Sequence, residues 1–355
     1  MSAESGNEGE KGKKREPLIE VKDIYVYFYT YAGVVKAIED VTFTIYKGET
    51  LCLVGETGCG KTVVSRTLTN IVPPPGRIVK GQILYHRNHD VIDILKLPED
   101  KLREIRGKEI AYIIQDPSAA LDPLYVVGYQ VTETMIDHGT VSNWKEGFKR
   151  ALNLFREVMI PDPQNRIKAY PHEMSGGMRQ RVVISIGLSN EPRLLIADEP
   201  TSYLDVTVQA QVLDLIRELK RKKGLTLLLI THDMGVVAEM CERVIVLYAG
   251  NIVEVAPVDE IFKRPKHPYT VGLLRAVPNP MTEIEKLESI PGTVPNLIYP
   301  PPGCRFHPRC PHATDICRKK KPPLVRVGPG HYVRCWLYAK EKEGEGEGES
   351  ESEGR

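Results

Sequence analysis

A chain of 355 residues with 41% hydrophobic and 27% charged side chains is long enough to bury a large core, and lies in the ordinary globular range. Lys+Arg 48 against Asp+Glu 47 leaves a formal charge of +1, which gives no global basic field to attract nucleic acid. No run approaches the roughly 18 consecutive apolar residues that a membrane-spanning helix requires, so any membrane role is expected to be by docking.

Met1 to Pro17 is polar and charged, without the apolar middle of a secretory signal, and predicts a solvated tail on a cytoplasmic protein. Lys11, Lys13, Lys14 and Arg15 lie within it. From residue 18 to 54 apolar and polar residues alternate (Ile19, Val21; Val41, Phe43, Ile45), predicting antiparallel strands that end in the apolar run Leu51 to Val54. That run leads into Gly55-Glu56-Thr57-Gly58-Cys59-Gly60-Lys61-Thr62, which fits G-x-x-x-x-G-K-[ST]. A predicted helix, Lys61 to Ile71, follows and is stopped by Pro73, Pro74 and Pro75. Strand, glycine-rich turn and helix form the context of a phosphate loop. Its backbone N–H groups converge on phosphate, Lys61 supplies a mobile cation, and the Thr62 hydroxyl can complete a Mg2+ shell. Cys59 needs only its backbone there and reads as a small tolerated side chain, with a reactive thiol as the minor alternative.

Helical patterns dominate from about Asp116 to Ser189. Within them Met174-Ser175-Gly176-Gly177-Met178-Arg179-Gln180 precedes an apolar helix, Arg181 to Leu188, and places a serine and two unhindered N–H groups at a helix N-terminus. That is a second anion site. Leu194 to Ala197 and Leu225 to Ile230 read as buried parallel strands separated by the helix Val206 to Lys223, a βαβ unit. The first of them ends in Asp198 and Glu199, which puts one carboxylate beside Mg2+ and the next facing an attacking water. Two phosphate-binding surfaces with a single Asp-Glu strand end fit two subunits facing head to tail.

Past about Pro257 the chain is rich in proline and poor in periodicity, predicting a second, loop-rich module that runs to residue 339. Cys304, Cys310, Cys317 and Cys335 form C-x5-C-x6-C-x17-C within it, four thiolates in a segment too proline-rich to pack a core of its own. A metal staple would explain how it folds. The absence of a Cys-x2-Cys pair weighs against an ordinary zinc ribbon. His307 and His312 are nearby and read as surface residues, and Cys52 and Cys241 as buried small hydrophobes. The Glu, Gly and Ser repeats of residues 340–355 predict a disordered acidic tail.

In this order the motifs resemble the nucleotide-binding subunits of ABC transporters, over about Leu18 to Tyr338. The resemblance implies an α/β P-loop ATPase: a parallel sheet core at 18–260, an antiparallel β subdomain and a helical subdomain at about 116–189. It makes Gln115 the Q-loop residue that senses Mg2+ and the γ-phosphate, His232 a γ-phosphate contact, and Asp205 a D-loop residue at the subunit interface. Thr67 falls with the ATP contacts, and Tyr31, rather than Phe28 or Tyr29, is taken to stack on adenine. Ser175, Gly176, Gly177, Met178 and Gln180 would serve the ATP held by a partner. Met174 and Tyr203 depart from the family's usual Leu and Ala without removing a phosphate ligand.

The phrases His267-Pro268-Tyr269-Thr270, Ile290-Pro291-Gly292 and Pro301-Pro302-Gly303-Cys304 are similar to the extension on ATP-binding subunits of oligopeptide and dipeptide importers. Met178 and Ala197 point to the D-type subunit. That resemblance implies a [4Fe-4S] cluster on the four cysteines, with zinc or no metal as alternatives. It also implies two permease subunits, a solute-binding protein, a second ATP-binding subunit that is more often a paralogue than a copy, and a place on the cytoplasmic face of the membrane. Oligosaccharides and nickel complexes are alternative solutes. A soluble ABC ATPase acting on nucleic acid or ribosomes is disfavoured by the single ATPase unit.

Overall fold

The computed structural model describes residues 15–276 and 290–339; most of the N-terminal tail and all of the acidic C-terminal tail lie outside the described residues. Two long strands, β1 (Pro17–Thr30) and β2 (Gly33–Tyr46), pair antiparallel around the Tyr31–Ala32 turn. Along β1 the buried positions change phase, from Ile19 and Val21 to Ile24 and Val26. A register shift at Asp23, whose φ is 52°, returns the apolar residues to the core face after an even spacing would have turned them out. Strand β3 (Thr50–Val54) is buried throughout and delivers the chain into the glycine-rich loop and α1 (Lys61–Thr67). Helix α1 ends before Ile71, because the chain turns at Leu68–Asn70 and Asn70 takes a positive φ ahead of the prolines.

Strands β4 (Gly76–Arg87) and β5 (Asp90–Asp93) complete an antiparallel sheet of order β2-β1-β4-β5. After α2 (Glu99–Ile105) and β6 (Ile110–Ile113) the chain enters a helical layer. It comprises α3 (Pro117–Ala120), α4 (Val127–Asp137), α5 (Trp144–Glu157), α6 (Pro163–Arg166) and α7 (Gly176–Leu188). The chain then alternates through β7 (Leu194–Asp198), α8 (Val206–Lys223), β8 (Thr226–Ile230), α9 (Met234–Met240) and β9 (Arg243–Tyr248). Helix α8 is bounded by an Asp205 N-cap, whose side chain accepts from Val208 N, and by Gly224 in the left-handed region.

The last described elements are β10 (Asn251–Pro257), α10 (Val258–Lys263), α11 (Pro268–Arg275), α12 (Asp315–Lys319), β11 (Val325–Gly328) and β12 (His331–Val333). The second sheet has the order β11-β12-β10-β9-β3-β8-β7-β6, parallel from β9 to β6. One apolar layer lies between this sheet and the helices, around Val131, Phe155, Ile184 and Ile216. Another lies between the two sheets, around Ile19, Ile45, Leu53 and Ile245.

The described residues beyond 260 do not form a module with a core of its own. Their β12 pairs antiparallel with β10, Glu254 opposite Val333, and extends the core sheet. Phe306 is 2% exposed and packs among Tyr248, Tyr269 and His267. A segment with few apolar residues thereby gains an edge and a core it could not build alone. Cys52 and Cys241 are buried as expected, but they are not separate: a disulfide joins them, with Cα atoms 5.9 Å apart.

Candidate functional site

The glycine-rich loop sits where β3 emerges between β9 and β8. Gly55 has φ 150°, and a Cβ there would stand 2.2 Å from the Leu247 carbonyl oxygen, so only glycine permits the turn. Gly60 caps α1 at φ 104°. Between them Thr57 and Gly58 are exposed, while Cys59 is buried and its thiol is pushed up to about 11 by that burial, an inert side chain. Lys61 Nζ donates to the carbonyls of Gly55 (2.8 Å) and Glu56 (3.2 Å), folded over the loop it belongs to. Thr67 does not reach the phosphate face: it is buried at the far end of α1, its hydroxyl donating to Val64 O.

Asp198 closes β7 beside this loop. Thr62 Oγ1 donates to Asp198 Oδ1 (3.3 Å) and Tyr112 OH to Oδ2 (2.8 Å). Burial raises the Asp198 carboxyl above its ordinary range, and the neighbouring Glu199 adds to the rise. The paired hydroxyl and carboxylate oxygens are hard donors of the kind Mg2+ takes, so the residues fit that ion. Nothing in the sequence singles out Tyr112. Strand β6 carries no motif, and only its pairing with β7 brings Tyr112 to Asp198.

Glu199 follows in the left-handed region, φ 45°, a conformation costing of order 1 kcal/mol or more in a non-glycine residue. It lifts the carboxylate out of the strand. Three groups from three loops meet there. Gln115 Nε2 donates to Oε2 at 2.8 Å, Ser202 Oγ donates to the same oxygen at 2.9 Å, and His232 Nδ1 lies 3.1 Å from Oε1. The Glu199 N–H also donates to Ile230 O, tying the end of β7 to the end of β8 just before His232.

The second anion motif lies on the helical layer. Ser175 is exposed and caps α7 by accepting from Met178 N (3.3 Å), with Gly176, Gly177 and Met178 half-buried behind it. Gly177 lets α7 close on α8, since a Cβ would come within 2.6 Å of Val208 Cγ1. Gln180 is 1% exposed and buried in its own subunit, contrary to its expected service to a partner. Met174 is buried in the core and Tyr203 is exposed beside Asp205. Among the described residues no hydrogen bond or ion pair links this motif to the phosphate loop. Tyr31 stands fully exposed at the tip of the β1–β2 hairpin. Phe28 packs against Gly76 and Val72, and the Tyr29 ring is covered by Arg77, so Tyr31 keeps the free face.

Cys304, Cys310, Cys317 and Cys335 all line one cavity of about 100 Å³, with His307 and the exposed His312 at its edge. Among the described residues no three His, Cys, Asp or Glu side chains gather closely enough to hold a metal ion. Four thiols lining one cavity are soft donors of the kind that zinc or iron takes.

Residues 38–202 match the family described as ABC transporter, and residues 253–317 that described as oligopeptide/dipeptide transporter, C-terminal region. The chain is 47% identical over 322 residues to the oligopeptide transport ATP-binding protein OppD of Bacillus subtilis (strain 168), spanning 90% of this chain and 88% of that protein. It is 45% identical over 323 residues to the dipeptide transport ATP-binding protein DppD of the same organism, spanning 91% and 95%. Among solved structures it is similar to the dimeric post-hydrolysis state of the ATP-binding cassette MJ0796 bound to ADP and Pi. That likeness has a TM-score of 0.60 at 25% identity, over 68% of this chain and 99% of that one. No helix of the described residues is long and apolar enough to cross a membrane.

Proposed function

The chain belongs to the ABC transporter family, in its oligopeptide/dipeptide branch, and from that membership we propose how its residues divide the work. It is an ATP-hydrolysing subunit that powers import of oligopeptides or dipeptides. One observation carries the assignment of roles: Gln115, Ser202 and His232 converge on the Glu199 carboxylate directly after Asp198.

The loop amides from Gly58 to Thr62 and the Lys61 ammonium bind the β- and γ-phosphates, replacing the loop carbonyls that Lys61 now contacts. Thr62 and Asp198 would hold Mg2+, which when bound neutralises charge on the outer phosphates. Glu199 takes a proton from water as its oxygen attacks the γ-phosphorus in line. The bond between that phosphorus and the β–γ bridging oxygen breaks, and ADP and inorganic phosphate leave. Gln115 and Ser202 hold the carboxylate in place, and His232 is positioned to donate to a γ-phosphate oxygen. Tyr31 offers its ring to adenine.

Replacing Glu199 with Gln keeps the shape and removes the base. ATP binding is expected to persist while turnover falls at least about 100-fold, measured by phosphate release and by nucleotide titration. Unchanged hydrolysis would remove Glu199 from this role.

The exposed Ser175 motif fits the ATP of a second, paralogous ATP-binding subunit, so that each chain supplies half of two sites. The pair would dock on two permease subunits at the cytoplasmic membrane face, with a solute-binding protein outside. The match of residues 253–317 favours peptide over oligosaccharide as solute. We assign the four cysteines to a [4Fe-4S] cluster rather than zinc because all four line one cavity and C-x5-C-x6-C-x17-C lacks the Cys-x2-Cys pair of an ordinary zinc ribbon. Anaerobic purification should then give iron and sulfide with visible absorbance; stoichiometric zinc without iron would overturn it.

A further inference from the structure

The phosphate loop is held from outside by the C-terminal part of the chain. Glu56, its second residue, has every polar group engaged. Its carboxylate receives both terminal nitrogens of Arg309, Nη1 to Oε2 at 2.7 Å and Nη2 to Oε1 at 3.0 Å. Its N–H donates to the Tyr269 hydroxyl at 2.8 Å, and its carbonyl accepts from Lys61. Arg309 is itself fixed: Nε donates to Pro291 O, Nη2 to Ile290 O, and the guanidinium lies over the Tyr248 ring, with 5% of the side chain exposed. Tyr269 is fully buried on α11.

A carboxylate within a loop built for triphosphate repels its ligand unless a cation cancels it. A forked guanidinium does this and also fixes the orientation of the side chain, which a lysine could not. The fixed N–H sets where the loop begins its turn, two residues before the amides that face phosphate.

We propose that Arg309 and Tyr269 are positioning residues for ATP binding: through Glu56 they hold the phosphate loop in its nucleotide-ready shape and neutralise its one carboxylate. The inference rests on reading the loop as the ATP site. It places control of nucleotide affinity in the segment that also forms the cysteine cavity, since Arg309 directly precedes Cys310.

The test uses the full chain for ATP–Mg2+ titration and the assembled transporter for steady-state hydrolysis. Arg309→Ala is expected to weaken ATP binding and raise KM about tenfold, with kcat at saturating ATP changed less than about twofold, because Glu199 and His232 are untouched. Arg309→Lys and Tyr269→Phe should each give a smaller rise in KM, about threefold, and they remain informative if the alanine variant does not fold. In the Glu56→Gln background, Arg309→Ala should add little further loss. Additive losses would mean that Arg309 acts only by bracing residues 290–291, and would overturn the proposal. So would an unchanged KM, or a fall confined to kcat. A wild-type chain that binds no ATP would instead overturn the reading of the loop itself.

Discussion

Glu199 shows how much one residue depends on its surroundings. Its left-handed backbone and its three partners turn a strand-end carboxylate into a fixed acceptor. Tyr112 does the same for Asp198, holding one oxygen while Thr62 meets the other. Tyr112→Phe keeps the ring and removes that donor. The Mg2+ concentration for half-maximal ATP hydrolysis is expected to rise about tenfold, in the range typical for outer partners of metal ligands, with folding unaffected by circular dichroism. An unchanged Mg2+ requirement would leave Tyr112 as packing alone. Lys61, Thr62, Asp198 and Glu199 are legible in the sequence because each sits in a motif whose spacing is set by a strand end or a helix start. Tyr112 and Arg309 belong to no such pattern. They reach the site through sheet pairing and through a contact between residues 253 apart in sequence.

At the scale of elements, β3, its glycine loop and α1 behave as one unit. Gly55 carries the sharpest constraint, since at φ 150° an added methyl carbon would lie 2.2 Å from Leu247 O. Gly55→Ala must displace β9 or the loop, and is expected to lower stability by about 3 kcal/mol and to abolish tight ATP binding. Denaturant unfolding and nucleotide titration would measure the two losses. The helix α8 and strands β7 and β8 are readable from apolar runs and caps. The end of α1 is not, since Leu68 and Ile71 continue a helical pattern that Asn70 and the prolines override. The change of phase along β1 is likewise invisible in a plain alternation, because a bulge costs the sequence only one extra residue.

At the scale of the whole molecule, the C-terminal segment is a brace across the seam of the two sheets. Arg305 pairs with Glu39, Arg334 and Lys321 with Asp40, Arg309 with Glu56, and His331 with the fully buried Glu254. Phe306 anchors it among three rings. Phe306→Ala is expected to cost about 3–5 kcal/mol in the main unfolding transition, followed by denaturant titration. A separate small transition, with the ATPase core unaffected, would mean that the segment folds on its own after all.

The sequence by itself determined the class of fold and the chemistry of the nucleotide site. Phosphate binding, metal binding and strand-end carboxylates are local arrangements, written in a few residues at fixed spacing. The tertiary structure alone decided which loops meet at Glu199, that Gln180 and Thr67 are turned inward, and that the proline-rich end is part of the core sheet. It also decided that this end grips the phosphate loop. Those outcomes depend on contacts between distant residues, and such contacts leave no periodic trace along a chain.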